Sequence, residues 1–182
     1  MIMKQLFLKT TLLLFAITFF NCEDNEPEDQ LPPITQTGSN TFGAIVNGRV
    51  FVPKDKTGYS APGGGTPRGL KILGNTRTFV IQATNYENIY IYIYIPQDLP
   101  KEQTYIFHNS TGVEYSLNEP DFAHIYAIVN GNKYLSFQNS GSISFSKISF
   151  DKGIYAGIFN ARLKNEINET EIIEITNGRF DI

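Results

Sequence analysis

From Thr41 to the last residue, short runs rich in β-branched and aromatic residues recur between turn residues, the pattern of strands whose side chains alternate across a sheet. These runs predict strands near 42–46, 49–53, 70–74, 78–83, 88–95, 103–107, 122–129, 133–138, 142–150, 153–163 and 170–182. No stretch sustains the 3.6-residue apolar period of a helix, so any helix should be short. Many short strands in one domain predict an all-β fold, either a single antiparallel β-sandwich or a partly closed barrel with hairpin connections.

Two hairpins follow from turn chemistry. Asn47-Gly48 and Asn130-Gly131 each stand between apolar runs, and a two-residue loop of this type needs φ > 0 at both positions, which Asn and Gly tolerate. The first loop pairs Val46 with Arg49 and Ile45 with Val50, and puts Gly43, Ile45, Val50 and Val52 on one face. The second pairs Ile128 with Lys133, Tyr126 with Leu135 and His124 with Phe137. That register makes the face holding Tyr126, Leu135 and Phe137 the expected core, with His124 on it as a neutral, hydrogen-bonded imidazole. Ile143 and Phe145 are odd-numbered whereas Ile148 and Phe150 are even, so a bulge or break is expected near Ser146-Lys147. The run Asn88-Ile89-Tyr90-Ile91-Tyr92-Ile93-Tyr94-Ile95 alternates without a fault and reads as a central strand with isoleucines on one face and tyrosines on the other.

The pattern before Thr41 is different. Lys4 and Lys9 flank the start of a charge-free apolar stretch, Thr10 to Phe20. It is shorter than the roughly 20 residues that span a bilayer, so residues 1–21 read as a signal peptide. The segment Thr18-Phe19-Phe20-Asn21-Cys22 resembles a lipobox, with Phe19 and Asn21 where the usual pattern has a branched aliphatic and a small residue. The resemblance implies that Cys22 becomes the lipid-modified first residue and the membrane attachment. Residues 22–40 then read as a flexible stalk of acids, prolines and polar residues. Its acids Glu23, Asp24, Glu26, Glu28 and Asp29 resemble the surface-export signals of Bacteroidota lipoproteins; a plain acidic spacer is the alternative. The all-β domain is expected over 41–182.

Composition narrows the chemistry. Cys22 is the only cysteine in 182 residues, which excludes an intrachain disulfide, Cys-based zinc sites and a Cys–His nucleophile within the domain. Without the leader's Lys4 and Lys9, the chain carries 13 basic and 18 acidic side chains. Five of those acids are the cluster after Cys22, so the domain itself balances at 13 against 13. A neutral domain offers no basic patch, and no nucleic-acid partner is expected.

The motifs Phe42-Gly43-Ala44-Ile45-Val46-Asn47-Gly48, Gly141-Ser142-Ile143-Ser144-Phe145 with Gly153-Ile154-Tyr155-Ala156-Gly157, and Ile175-Thr176-Asn177-Gly178-Arg179-Phe180-Asp181-Ile182 resemble a family of uncharacterised, flavobacterial-type surface lipoproteins of Bacteroidota. The resemblance spans 41–182 and implies an all-β domain ending in a Thr-Asn-Gly-x-Phe strand, at the outer membrane. It carries no activity to transfer.

Sites of chemistry are few. His108 falls in a turn and reads as exposed. No Gly-x-Ser-x-Gly elbow, His-Glu-x-x-His or EF-hand loop is present, and neither a cofactor nor a catalytic residue is expected. Glu114, Glu119 and Asp121 cluster in a turn-rich stretch that reads as solvated acids before a calcium site. The glycine-rich 57–69 lacks the Gly-Lys-Ser/Thr ending of a phosphate loop and reads as plain loop. Tyr90, Tyr92 and Tyr94 share one face, and a tyrosine's apolar ring with a polar tip suits sugars, peptides or small amphiphiles. The alternative is that this face packs against a second sheet with its hydroxyls at the rim. Three functions follow: a binding module for glycan, peptide or small amphiphile; a structural or interaction subunit of an envelope assembly; a hydrolase. An open tyrosine face or barrel mouth favours the first, a broad apolar patch without a cavity the second, and a cleft joining His124 to an acid and a hydroxyl the third.

Overall fold

A computed structural model describes residues 26–54, 69–74, 78–96, 100–114 and 120–182. The described residues hold eleven strands: β1 (Thr41–Val46), β2 (Arg49–Phe51), β3 (Leu70–Gly74), β4 (Phe79–Thr84), β5 (Ile89–Ile95), β6 (Thr104–Ile106), β7 (His124–Val129), β8 (Asn132–Leu135), β9 (Gly141–Ser149), β10 (Ile154–Asn165) and β11 (Ile172–Asp181). A single 3-10 turn, Pro27–Gln30, precedes them. The strands form one antiparallel sheet in the order β2-β1-β11-β10-β8-β7-β5-β4-β3. It is open and strongly curled, a half-barrel rather than a sandwich.

The sheet forks at β10. One edge of that strand pairs with β9 over Ile154 to Ala161 and then with β8 at Lys164 and Asn165; β6 joins the far side of β9. Curling brings strands that are distant in the sheet face to face, as when Phe79 of β4 meets Phe145 of β9 at 5.8 Å and Tyr155 of β10 at 4.8 Å. The enclosed core takes Phe42, Ala44, Val46 and Phe51 from the β1–β2 hairpin and Ile91, Ile93 and Ile95 from β5.

Bulges supply the bend. Ala156 pairs with Lys147 and the next residue, Gly157, with Phe145, so Ser146 is the extra residue that the change of parity demands. Ile148 thereby reaches the edge of the core, whereas Phe150, past the end of the strand, is 53% exposed. A second irregularity centres on Asn177-Gly178 in β11, where the partners of β1 jump from Arg179 to Thr176 and those of β10 from Gly178 to Ile175. Asn177 has φ +51°. A Cβ on Gly178 would fall 2.6 Å from the ring of Phe159, so only glycine lets that ring lie against the backbone.

Both hairpins form as expected, with φ values of 48° and 74° at Asn47-Gly48 and 51° and 82° at Asn130-Gly131, and with Val46↔Arg49, Ile45↔Val50, Ile128↔Lys133 and Tyr126↔Leu135 as partners. The pairing of His124 with Phe137 is a correction, because β8 ends at Leu135. There Ser136 Oγ accepts the N–H of Ile125 and donates to the carbonyl of His108, which turns the chain out of the ladder before Phe137. The face expected to be core does bury His124 and Tyr126, Tyr126 in a second cluster with Tyr92 and Tyr94, while β7 sends Ile125 and Ala127 into the larger core on the other side of the sheet.

The N-terminal segment is attached well before Thr41. Leu31 is buried, and a Cβ on Gly43 would lie 2.7 Å from the Pro32 ring. Arg179 donates to Glu28 at 2.8 Å and to the Pro32 carbonyl at 3.4 Å. Asp181, only 1% exposed, accepts the Thr35 hydroxyl at 2.6 Å and the backbone N–H groups of Thr37, Gly38 and Ser39 at 2.9, 2.7 and 3.3 Å. Burial alone would raise its pKa, but these donors hold it well below the ordinary carboxylate range. The stretch read as a stalk is therefore a strap on the domain from Leu31 onward. Residues 22–25, with Cys22, Glu23 and Asp24, lie outside the described residues, as does the loop 57–68.

Candidate functional site

Two places on the sheet bear on function: the face that carries the tyrosines, and the seam where the two ends of the curled sheet approach one another.

Tyr90, Tyr92 and Tyr94 do share a face, opposite the core isoleucines of β5, and antiparallel pairing sets Tyr92 beside Tyr126 and Tyr94 beside His124. Tyr92 stacks on Tyr126 at 4.9 Å between ring centroids, and Tyr94 on His124 at 4.8 Å. The face is not an open platform. Tyr92 is 1% exposed and Tyr94 is buried, with Val80 and Tyr126, in a second apolar cluster. No second sheet covers it among the described residues; irregular chain around Ser110, Gly112, Glu114 and Pro120 lies over it as a cap.

The cap is held by the polar tips beneath it. The hydroxyls of Tyr90 and Tyr126 donate to one oxygen of Glu114, the second at 3.1 Å, and Gln82 Nε2 donates to the other oxygen at 3.0 Å. The Tyr94 hydroxyl donates to the Pro120 carbonyl at 3.2 Å. Lys133 Nζ donates to the Gly112 carbonyl at 3.1 Å and lies 5.9 Å from the Tyr126 ring. Burial first, and the Glu114 carboxylate second, push the pKa of both Tyr90 and Tyr126 far above the ordinary phenol value. These phenols are donors at any physiological pH. Glu114 is exposed, as expected of a solvated acid, and is also the acceptor that gathers them.

His124 is buried in this cluster, and burial pushes its pKa down to about 4, so the ring is neutral at pH 7. Its Nδ1 lies 3.0 Å from Ser110 Oγ, which also accepts the Gly112 N–H at 3.1 Å. Among the described residues no carboxylate bonds to His124, so the pair lacks the group that orients the base in a hydrolytic triad. His108, expected in solvent, is half-buried, with Nδ1 2.9 Å from Gln138 Oε1 and its ring 5.2 Å from that of Phe122.

The seam is open. Beyond β2 the chain reaches across to the far end of the sheet, where Lys54 N–H donates to the Thr84 carbonyl at 3.1 Å and Thr84 N–H to the Gly69 carbonyl at 2.7 Å. A Cβ on Gly69 would sit 2.4 Å from the Lys54 carbonyl oxygen, so the closure needs glycine there. Beside this join is a cleft of about 490 Å³ lined by Pro32, Asn40, Thr41, Phe42, Val52, Pro53, Gly69 and Leu70. None of these lining residues is charged. Phe42, Val52 and Leu70 offer apolar surface, and Asn40 and Thr41 bring an amide and a hydroxyl to it. Sequence reasoning missed this cleft because its walls come from three separated stretches, none with a motif.

Two other concavities lie among the described residues. A cleft of about 290 Å³ lies at the β10 fork, lined in part by Ser110, Phe137, Lys164 and Glu169, but Lys164 already sits 4.8 Å from the Phe137 ring and 3.6 Å from Glu169. An apolar crevice of about 450 Å³ runs between Pro100–Glu102 and Ile148–Phe150. Compared with known proteins, the chain matches no family model, no curated protein and no solved structure.

Proposed function

We propose that this protein is an outer-membrane lipoprotein, anchored by lipid on Cys22 and displayed at the cell surface, whose β domain is a binding module for a small amphiphile, with peptide or glycan as the other ligand classes. The observation that carries the binding reading is the cleft at the seam, whose described lining residues carry no charge. Its volume of about 490 Å³ falls within the roughly 300–1,000 Å³ of small-molecule sites, and its walls set the apolar edges of Val52 and Leu70 beside the polar groups of Asn40 and Thr41. Tyr90, Tyr92 and Tyr94 serve the cap rather than a ligand. An enzymatic role is not proposed: Ser110 and His124 are two members of a triad, and no carboxylate among the described residues bonds to His124 as a third. The apolar crevice at Ile148 and the exposed Phe150 favour, as a second reading, contact with another envelope protein.

The test has two arms. The full chain processed at Cys22 should enhance the fluorescence of N-phenyl-1-naphthylamine, an uncharged amphiphile, in a saturable way, and Leu70→Asp should remove that enhancement while the domain stays folded. A linear, unsaturable response in the unsubstituted chain would defeat the binding reading. Independently, Cys22→Ser should abolish acyl labelling and release the protein from the membrane fraction. Neutralising Glu23, Asp24, Glu26, Glu28 and Asp29 together should reduce its accessibility to external protease in intact cells. Labelling that survives Cys22→Ser would remove the anchor, and unchanged accessibility would reduce the acids to a spacer.

A further inference from the structure

The seam cleft does not belong to the sheet alone. Six of its lining residues lie in or beside β1, β2 and β3, but Pro32 and Asn40 come from the two ends of the strap. The strap is bound differently from everything around it. Between residues 31 and 40 it forms no strand. Its hold on the domain comes chiefly from the side chains of two residues of β11, Arg179 and Asp181, and from Leu31 packed over Gly43. Asp181 alone accepts five hydrogen bonds from residues 35 to 39, counting both the backbone and the hydroxyl of Thr37. An element secured at so few points opens more readily than a strand paired on both sides.

We infer that the strap is the movable wall of the seam cleft, so that an uncharged amphiphile bound there and the strap's attachment to β11 stabilise each other. This rests on the binding reading of the cleft. The coupling follows from linkage: a ligand that touches Pro32 and Asn40 only when the strap is docked must favour the docked form, and the docked form must favour the ligand by the same factor. The ligand's chemistry follows from the described lining residues, none of which carries a charge to pair with one. The strap also leads back toward Cys22, so the same equilibrium changes the length of chain between the lipid anchor and the domain. Each undocked residue adds at most about 3.5 Å of reach.

The experiment uses the full chain processed at Cys22, in detergent, with N-phenyl-1-naphthylamine as the probe. Two substitutions loosen the strap by unrelated means. Asp181→Asn removes the charge that gathers the donors of residues 35–39, and Gly43→Ala drives a methyl group into Pro32 without touching Asp181. Cleavage within residues 31–40 is followed by mass spectrometry, at the exposed Ile34 among other bonds, and circular dichroism confirms that each variant is folded. Both variants should be cut faster and bind the probe more weakly, each by about tenfold, and saturating probe should slow cleavage of the unsubstituted chain by a similar factor. Faster cleavage with unchanged probe affinity would overturn the coupling and leave the cleft as a binding site. Unchanged cleavage in both folded variants would also overturn it, since the strap would then be held by something else. A lack of saturable probe binding in the unsubstituted chain would remove the cleft reading and the coupling together.

Discussion

The tyrosine face and the seam are both parts of the sheet surface that no neighbouring strand covers, yet the chain seals the first and leaves the second concave and open. The difference lies in what the side chains demand. Tyr94, Tyr126 and His124 bring two hydroxyls and an imidazole into a buried cluster with the half-buried Tyr90 at its edge, and a buried polar atom without a partner is destabilising. Glu114, Ser110 and the Pro120 carbonyl meet those demands, and in doing so fix where the cap must lie. At the seam, Phe42, Val52 and Leu70 make no such directional demand, and the irregular strap that borders them at Pro32 and Asn40 is held from Asp181 and Arg179 instead. A row of tyrosines is thus an instruction for its own cover as readily as a platform for a ligand.

The contrast predicts unequal responses. The largest should come from Tyr92→Ala, which empties the middle of the sealed cluster and should cost about 3–5 kcal/mol in urea denaturation. A loss below about 1 kcal/mol would mean the cap does not press on the sheet. Next is acid. With its pKa lowered from 6.5 to about 4 by burial, His124 binds its proton less readily in the folded state than in the unfolded chain. Its contribution is complete above pH 6.5 and lost as the pH falls toward 4, by about 3 kcal/mol in all. His124→Gln should flatten that part of the pH–stability curve relative to the unsubstituted protein, and identical slopes would place the ring in solvent. No described cleft-lining residue is ionisable, so probe binding should hardly change over the same window. The smallest stability effect should be that of Leu70→Ala at the seam, about 1 kcal/mol or less, with probe affinity falling more than stability. Equal falls in both would mean that the cleft is only a packing defect.

Strand positions were legible because β-branched and aromatic runs alternate with turn residues, and all eleven expected runs form strands with ends shifted by at most three residues. Parity carried further than propensity: the switch from odd Ile143 and Phe145 to even Ile148 located the bulge at Ser146. Asn-Gly was a sound hairpin signal twice and would have misled a third time, since Asn177-Gly178 bends a continuous strand. What distinguishes it is the Phe159 ring resting on Gly178, a contact across the sheet that local sequence does not encode. The register of β7 and β8 failed past Leu135 for a similar reason, because the Ser136 hydroxyl takes over a ladder position. The strap was hidden by its composition. Residues 31–40 have little apolar surface, and they are held by a carboxylate 142 to 146 residues away in the chain.

Strand β1 pairs with β11, Thr41 opposite Asp181, so the first strand of the domain waits for the last. During synthesis from the N-terminus, the β3–β4–β5 and β7–β8 pairings have all their residues early, whereas β1 has only the three-residue β2 as a strand partner until β11 arrives. Closing so long a loop is entropically costly and slow. A ribosome that stalls before Arg179 would leave Phe42, Leu31 and the inner face of β10 without their cover. Such an intermediate would expose an apolar surface and an unpaired strand edge together, the combination that chaperones bind and that aggregation exploits.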